Sequence, residues 1–259
     1  MNLTFYKYQG AGNDFVIVDN RKNPVQLTTE QVKHLCERKF GIGADGLMLL
    51  NSHMQYDFEM IYYNADGKEG TMCGNGGRCL VKFAHQVGIL KNKYSFIATD
   101  GPHEATIEDN GWVYLKMKDV NGVRHQFGNF ILNTGSPHYV KSVKDIRNYK
   151  VVETGRSIRY SDEFAAEGIN VNFVEEMNDR SIFVRTYERG VEDETLSCGT
   201  GVTASALVYA HNDNGFNRVE VQTLGGRLAV EFTKKGDEEF TDIWLCGPAE
   251  LVYQGSVDL

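Results

Sequence analysis

The chain repeats its own motifs once along its length, which leaves few architectures open to it. Four pairs of short segments match in the same order, 123 to 125 residues apart in a chain of 259. A fixed spacing of this kind is the signature of a duplicated architecture. We therefore predict two domains of similar fold, residues 1–119 completed by residues 250–259, and residues 120–249. The matching pairs are residues 12–16 and 135–140, 62–64 and 187–189, 73–76 and 198–201, and 99–101 and 223–225.

Local patterns add the element types. Alternating apolar and polar residues predict strands at 3–9 and 14–19, and a cap at Thr28 or Thr29 predicts a helix over 30–38. A glycine-rich turn at 73–77 opens onto an apolar helical face over 78–87. Strands and helices therefore mix in each half, and the predicted fold class is α/β, of the α+β type.

The composition excludes several kinds of partner. Lys and Arg number 27 against 35 Asp and Glu, which gives a net charge of −8 and a pI near 5.4. Such a balance disfavours nucleic acid and anionic membranes as partners, and no apolar run approaches the roughly 18 residues of a membrane helix. The five cysteines lack a CxxC pair, which fits neither a zinc site nor a disulfide framework. We predict no bound metal, free thiols and a cytoplasmic location.

The repeated Cys-Gly-x-Gly at 73–76 and 198–201 carries the candidate chemistry. A cysteine directly before a helix lies among unpaired N–H groups at the positive end of the helix dipole, a setting that lowers the pKa of a thiol. The amides that follow each cysteine can hold an anion such as a carboxylate. One thiol on each side of a bound molecule suits stereoinversion at one carbon, where one group removes a proton and the other returns a proton to the opposite face.

The remaining cysteines call for a plainer interpretation. A free cysteine taken singly is more often a small buried residue. Cys36, Cys79 and Cys246 have no partner in the repeat, so we predict that they belong to the core. For Cys73 and Cys198 the repetition at two helix starts favours chemistry.

A second glycine-rich motif suggests a different kind of site, one that binds a dinucleotide. The segment Gly-Ile-Gly-Ala-Asp-Gly at 41–46 matches the dinucleotide-binding pattern letter for letter. That pattern has to follow a strand and open a helix. Here it follows residues 37–40, which continue a helical pattern, and it opens the strand at 47–50. We therefore predict no nucleotide site.

Longer motifs, among them Asn-Gly-Gly-Arg-Cys after the first repeated cysteine and Glu-Arg-Gly before the second, closely resemble those of the diaminopimelate epimerases. The resemblance spans nearly the whole chain. It implies a cofactor-independent epimerase, without pyridoxal phosphate, that interconverts LL- and meso-diaminopimelate on the bacterial route to lysine and peptidoglycan. It also implies a homodimer, and two pseudo-symmetric domains, each a β-barrel-like sheet wrapped around a central helix. The resembling segments are residues 10–15, 40–46, 63–67, 72–79, 187–190 and 198–201.

Carried over by position, the resemblance implies a role for each site residue. Cys73 and Cys198 would be the two acid and base thiols. His138 and Glu188 would tune them, since an imidazolium favours a thiolate and a carboxylate opposes it. Arg189 would be the bidentate partner of the distal carboxylate. The carboxylate at the reacting carbon would be held by Gly74, Asn75, Gly199 and Thr200. Further substrate contacts would come from Asn13, Asn64, Ser136, Asn170 and Glu188.

Two positions depart from the common family pattern. Ser136 stands where asparagine is frequent, and its shorter side chain would reach substrate directly or through water. Gly46 stands where some members carry glutamine, and it offers no side chain as a ligand.

Two alternatives stay open from the sequence. One is a related cofactor-independent racemase of another amino acid. The other is a thiol protein without this activity, in which Cys73 and Cys198 form a regulatory disulfide. Exchange of the α-proton of diaminopimelate with solvent deuterium distinguishes the epimerase from both.

Overall fold

The computed structural model describes residues 2–178 and 180–259. The helices in this part of the chain are α1 (Thr29–Cys36), α2 (Gly74–Gln86), α3 (Val151–Arg159) and α4 (Gly199–Val208), with a 3-10 turn at Ile146–Asn148. None of them is long and apolar enough to cross a membrane. The strands are β1 (Asn2–Gly10), β2 (Asn13–Asp19), β3 (Gly46–Asn51), β4 (Phe58–Asn64), β5 (Glu69–Gly70), β6 (Lys93–Ala98), β7 (Gly101–Ile107), β8 (Val113–Lys116), β9 (Val120–Asn121), β10 (Arg124–Gln126), β11 (Asn129–Asn133), β12 (Pro137–Ser142), β13 (Asn170–Asn178), β14 (Ser181–Glu188), β15 (Asp193–Thr195), β16 (Gly215–Thr223), β17 (Gly226–Lys234), β18 (Glu239–Gly247) and β19 (Glu250–Asp258).

The chain divides into two compact units. The first comprises Met1–Leu115 and Gly247–Leu259, and the second comprises Lys116–Cys246. The last strand, β19, pairs antiparallel with β1 over nearly all of its length, and this pairing brings the chain's end into the first unit. The domain boundaries that the repeat predicts, between residues 119 and 120 and between residues 249 and 250, stay predictions.

Both units order their elements in the same way. In the first, β1 and β2 form a hairpin, β3 runs parallel to β2, β4 returns antiparallel, and β6 runs parallel to β4 before β7 and β8 return. In the second, β11 to β14 and then β16 to β18 repeat this sequence of pairings. The helices occupy equivalent connections, α1 and α3 in the first parallel crossover, α2 and α4 in the second. The duplication predicted from the sequence is confirmed.

The helices α2 and α4 lie inside their units. Residues 74–84 of α2 are all buried except Lys82, and the helix contacts β1, β2, β3, β7 and β19. Residues 201–207 of α4 are buried, and this helix contacts β11 to β14, β16 and β17. A helix enclosed in this way needs apolar or small residues on all sides. The predicted fold class, α/β of the α+β type with a sheet wrapped around a central helix, is confirmed.

The innermost strands are buried on both faces. Because successive strand residues point to opposite faces, Phe15 of β2 faces α2, where a Cβ on Gly76 would lie 3.5 Å from its ring. Val16 and Val18 face the other way and pack with Val32 and Leu35 of α1. In the second unit α3 covers the equivalent outer face of its sheet with a cluster that includes Val151.

The helix boundaries differ in part from those predicted. The helix α1 begins as expected, because Thr28 and Gln31 form a capping box, but it ends at Cys36, and residues 38–40 form a turn. The helix α2 begins at Gly74 rather than at residue 78. Glycine is a poor helix former, so the local pattern favours a turn. Close packing overrides this preference, since a Cβ on Gly77 would lie 3.1 Å from the sulfur of Met72.

The packing of α3 gives a test of the fold. A Cβ on Gly155 would lie 2.4 Å from the Cβ of Tyr187 in β14. We expect Gly155→Ala to lower the free energy of unfolding by on the order of 1–3 kcal/mol, because overpacking outweighs the better helix propensity of alanine. Urea denaturation measures this loss. The control is Gly236→Ala, where an added Cβ meets no atom within 4 Å, and equal stability of the two variants would contradict the packing described.

Candidate active site

Cys73 is the N-cap residue of α2. Its backbone is extended, with φ −96° and ψ 128°, and the amide of Gly77 donates to its carbonyl oxygen at 2.7 Å to close the first helical turn. The amides that precede Gly77 in the helix have no acceptor within the helix itself. The half-buried Cys73 side chain is therefore at the positive end of a helix dipole.

Two carboxamides lie beside this thiol. The Asn13 oxygen, Oδ1, accepts a hydrogen bond from the Cys73 thiol at 3.6 Å and another from Asn75 Nδ2 at 3.4 Å. The fully buried guanidinium of Arg78 donates to Asn75 Oδ1 at 3.0 Å and to the Gly74 carbonyl at 3.3 Å. The structure thus brings together Asn13, Cys73, Gly74 and Asn75, four residues predicted for the site.

Asn64 lies at the same end of this sheet. The strand register places Phe15 opposite Gly46, and Gly46 opposite Asn64, so Asn64 stands two strands away from the start of β2. Its side chain is exposed and close to Gly70, where a Cβ would lie 2.8 Å from Asn64 Nδ2.

Cys198 repeats the setting of Cys73 in the second unit. It is the N-cap residue of α4, with φ −113° and ψ 110°, and the Val202 amide donates to its carbonyl oxygen at 2.8 Å. Its sulfur lies 3.6 Å from Thr200 Oγ1. The Thr134 hydroxyl donates to the Thr200 carbonyl at 2.8 Å, which holds this first turn of α4 against the strand end.

His138 lies beneath the same helical turn. Its ring is fully buried, and Asn172 Nδ2 donates to its Nδ1 at 3.1 Å. Thr186 donates in turn to Asn172 Oδ1 at 2.9 Å. A Cβ on Gly201 would lie 2.2 Å from that oxygen and 3.4 Å from the His138 ring. Only glycine therefore fits at this position of α4.

The charge state of His138 differs from the one that the sequence suggested. Burial, and then the positive charge of Arg189, lower the pKa of His138 to about 3. The ring is therefore neutral at neutral pH in this state, because charging it would remove a cation from water without a compensating anion. A neutral imidazole can orient neighbouring groups by hydrogen bonds, whereas the thiolate-stabilising imidazolium that we expected is disfavoured.

Three further predicted residues form one cluster. Ser136 Oγ accepts hydrogen bonds from Asn170 Nδ2 at 2.9 Å and from Arg189 Nη2 at 3.2 Å. Asn170 Oδ1 accepts from the Arg189 backbone amide at 2.9 Å. The neighbouring Glu188 carboxylate accepts from the Thr195 hydroxyl at 2.8 Å, three residues before Cys198. The serine that departs from the family pattern therefore joins the asparagine to the arginine.

Several residues at these two places were not singled out from the sequence. Four of the five are buried polar side chains, which mark a hydrogen-bond network, and the fifth, Asp45, is exposed. Asn172 lies in the apolar strand β13, and Arg78 lies on the buried face of α2. Asp45 belongs to the glycine motif that we set aside. The missed residues are Asp45, Arg78, Thr134, Asn172 and Thr186.

The glycine motif at 41–46 connects α1 to β3. It leads into a strand and opens no helix, as predicted, although residues 38–40 before it are a turn rather than a helix. Its glycines serve close packing, since a Cβ on Gly41 would lie 1.9 Å from the His34 carbonyl oxygen. Within residues 2–178 and 180–259, no group of three His, Cys, Asp or Glu side chains is placed to hold a metal ion.

The other three cysteines are core residues, as predicted. Cys36, Cys79 and Cys246 are all buried. Burial raises the pKa of the Cys36 thiol to about 11 and that of the Cys79 thiol to about 12. A thiol held protonated in this way is inert as a base or nucleophile.

The architecture places the chain among solved structures that share its fold. A PhzF-family phenazine biosynthesis protein from Bacillus anthracis shares the fold with a TM-score of 0.77 and 16% identity, over all of both chains. A hydroxyproline epimerase from Agrobacterium vitis shares it with a TM-score of 0.69 and 15% identity, over all of this chain and 93% of the other. The chain therefore has the duplicated fold, with a helix inside each sheet, of these proteins.

Its sequence then gives the family. The family model described as diaminopimelate epimerase matches residues 5–122 and 130–252. The diaminopimelate epimerase of Flavobacterium psychrophilum is 48% identical over 258 residues, which cover 98% of this chain and all of that protein. The chain belongs to the diaminopimelate epimerase family, which is a family of isomerases.

The buried state of His138 predicts how stability depends on pH. Its folded pKa of about 3 lies below the ordinary value of 6.5, so acid protonates the unfolded chain first, and stability is lost as the pH falls from about 6.5 towards 3. Between about pH 7 and pH 5 we expect the free energy of unfolding to fall by on the order of 2 kcal/mol more in the unmodified chain than in His138→Gln. Urea titrations at the two pH values measure the difference. Equal losses of stability in the two proteins would mean that folding does not lower the pKa of His138.

Proposed function

We propose that the chain interconverts LL- and meso-2,6-diaminopimelate by proton transfer at the α-carbon, with Cys73 and Cys198 as the acid and base groups. One observation carries the proposal: a cysteine stands at the N-cap of a buried helix once in each unit. Inversion at a carbon needs one group that takes a proton from one face and a second that delivers a proton to the other. Two equivalent thiols are such a pair, and the reaction then needs no cofactor.

The two helix starts would also hold the carboxylate at the reacting carbon. In the first unit the amides are those of Gly74 and Asn75, and in the second those of Gly199 and Thr200. Helix N-termini bind anions through unpaired N–H groups and the dipole. A carboxylate held there would also stabilise the negative charge that develops beside it when the α-proton leaves.

The cluster around Arg189 would bind the other end of the substrate. A guanidinium binds a carboxylate through two parallel hydrogen bonds, and the contacts of Arg189 with Ser136 and Glu167 already orient the fork. The hydroxyl hydrogen of Ser136 could be donated to the same carboxylate, since its oxygen accepts from both Asn170 and Arg189. Asn13, Asn64 and Glu188 would contact the remaining polar groups.

His138 and Glu188 would act on the Cys198 thiol by different means. The neutral ring of His138 packs below the first turn of α4, against Gly201, and would keep that turn in place. The carboxylate of Glu188 would oppose ionisation of the thiol. This pair would hold Cys198 as a proton donor until a substrate arrives.

The setting of the enzyme follows from the same proposal. We place it in lysine and peptidoglycan precursor biosynthesis, in the cytoplasm, where a reducing medium keeps both thiols available. We further propose that the protein acts as a homodimer, and that each of the two predicted domains contributes one thiol.

The two thiols give the first test. We expect Cys73→Ala and Cys198→Ala each to abolish epimerisation, because either loss leaves one face of the carbon without a proton relay. Cys36→Ala, which changes a buried cysteine outside the proposed site, is the control and should keep its turnover. The assay follows formation of meso-diaminopimelate from the LL isomer, with proline, glutamate and lysine as alternative substrates. Near-normal turnover by either alanine variant, or faster turnover of another amino acid, would contradict the proposal.

The distal carboxylate gives the second test. Arg189→Lys keeps the charge and loses the planar fork, so we expect kcat/KM for diaminopimelate to fall by a factor equivalent to about 1–3 kcal/mol. Arg227→Lys, at an exposed position of β17, should leave kcat/KM unchanged. Unaltered kinetics of Arg189→Lys would assign the distal carboxylate to another residue.

A further inference from the structure

The carboxamide of Asn13 lies between a carboxylate and the Cys73 thiol. Its nitrogen, Nδ2, donates to Asp45 Oδ2 at 2.5 Å, and its oxygen accepts from the thiol at 3.6 Å. Asp45 comes from the glycine motif at 41–46, which the proposed function leaves without a role. The motif delivers Asp45 to the start of β3, beside the start of β2, where Asn13 stands.

The carboxylate decides which way the Asn13 carboxamide points. An ionised carboxylate accepts hydrogen bonds and cannot donate them, so the Asn13 nitrogen has to face Asp45 and the oxygen has to face Cys73. Arg38 holds Asp45 in place, since its Nη2 lies 2.7 Å from Asp45 Oδ1 and 2.7 Å from Asp14 Oδ1. The Asp14 amide also donates to Asp45 Oδ2 at 3.2 Å.

Arg38 is itself held in place by an ion pair with Asp14. The nearly buried Lys7 lies 2.7 Å from Asp14. Burial alone would raise the pKa of Asp14, but hydrogen bonds from Arg38 and Lys7 outweigh it and lower that pKa to about 2. Asp14 is therefore a permanent anion that fixes Arg38, and Arg38 fixes Asp45.

A cation, Arg78, fixes the orientation of the next carboxamide, that of Asn75. A guanidinium donates hydrogen bonds and cannot accept them. Arg78 therefore makes Asn75 present its oxygen to the guanidinium and its nitrogen to Asn13. The hydrogen bonds run in one direction, from Arg78 through Asn75 and Asn13 to Asp45.

We propose that Asp45 is a positioning residue that fixes the Asn13 carboxamide with its oxygen towards Cys73. An oxygen in this place accepts a hydrogen bond from the S–H group and favours the protonated thiol. A reversed carboxamide would present an N–H group and favour the thiolate. Asp45 thereby sets the resting protonation of one thiol without touching it. For the catalytic consequence, the inference rests on the proposed role of Cys73.

The second unit lacks this arrangement and provides an internal control. The spacing of 123 that relates residues 12–16 to residues 135–140 places Ser136 where the first unit has Asn13, and the spacing of 125 that relates the two helix starts places Thr203 where it has Arg78. The carboxylate and the guanidinium have no charged counterpart there, because residues 168–170, which lie 123 to 125 residues after Asp45, are Gly-Ile-Asn, and residue 203 is a threonine. A change at Asp45 should therefore alter Cys73 and leave Cys198 as it is.

The test measures the reactivity of each thiol in the folded protein. Iodoacetamide reacts with thiolates, and peptide mapping reports the alkylation rates of Cys73 and Cys198 separately. In Asp45→Asn only the longer 3.4 Å hydrogen bond from Asn75 still favours one direction of the Asn13 carboxamide, so we expect alkylation of Cys73 at neutral pH to rise on the order of 3- to 10-fold. The rate at Cys198 should stay unchanged. An unchanged rate at Cys73 would overturn the proposal.

A double-mutant cycle separates orientation from simple loss of charge. In Asn13→Ala, adding Asp45→Asn removes the same charge but has no carboxamide to release, so we expect less than about a twofold change at Cys73. An equal increase in both backgrounds would mean that Asp45 acts through its charge alone, and would overturn the proposal. Circular dichroism of each variant confirms that the comparison is made between folded proteins.

Kinetics with diaminopimelate then connect positioning to turnover. We expect Asp45→Asn to lower kcat more than it changes KM, because the resting proton of one thiol is altered while the substrate contacts remain. Asp19→Asn is the control, since Asp19 also forms an ion pair with an arginine, Arg21, but at the far end of β2. A Cys73 alkylation change without any epimerisation by the unmodified chain would contradict the proposed function and leave the positioning role of Asp45 intact.

Discussion

Each unit depends on the burial of one helix inside its sheet. Because α2 and α4 are buried along most of their length, the polar groups that they bring inside need partners. The first turn is where such groups concentrate, since its amides have no partner in the helix. The fold therefore places unpaired donors and a cysteine side by side at one end of a buried helix, and it does so twice.

The need to satisfy buried polar groups also shapes the surroundings of each thiol. Arg78 is buried beneath the start of α2 and is bonded to Gly74 and Asn75. His138 is buried beneath the start of α4 and is bonded to Asn172. In the first unit the side chain that stabilises the helix start also orients the amides beside the sulfur atom, so stability and the proposed chemistry draw on one network.

The duplication is one of backbone and not of charge. Strand order, crossover helices and N-cap cysteines repeat between the units. The buried charge does not, since the first unit has a guanidinium where the second has a threonine, and the second buries the neutral imidazole of His138 beneath its helix start. A reaction that takes a proton with one thiol and gives it with another uses such a difference, because the two groups have opposite tasks at any moment.

The sequence by itself determined the duplication, the element types, the repeated pair of cysteines and the family, because these depend on spacing, periodicity and local motifs. Only the tertiary structure decided that Gly74 begins a helix, that His138 is neutral and that Asp45 and Arg78 point the amides around Cys73. These outcomes depend on which atoms meet across strands distant in sequence and on how far burial removes them from water. A local sequence pattern carries no information on either. The only sign of such a network in the sequence is a polar residue within an otherwise apolar strand or helix, such as Asn172 or Arg78.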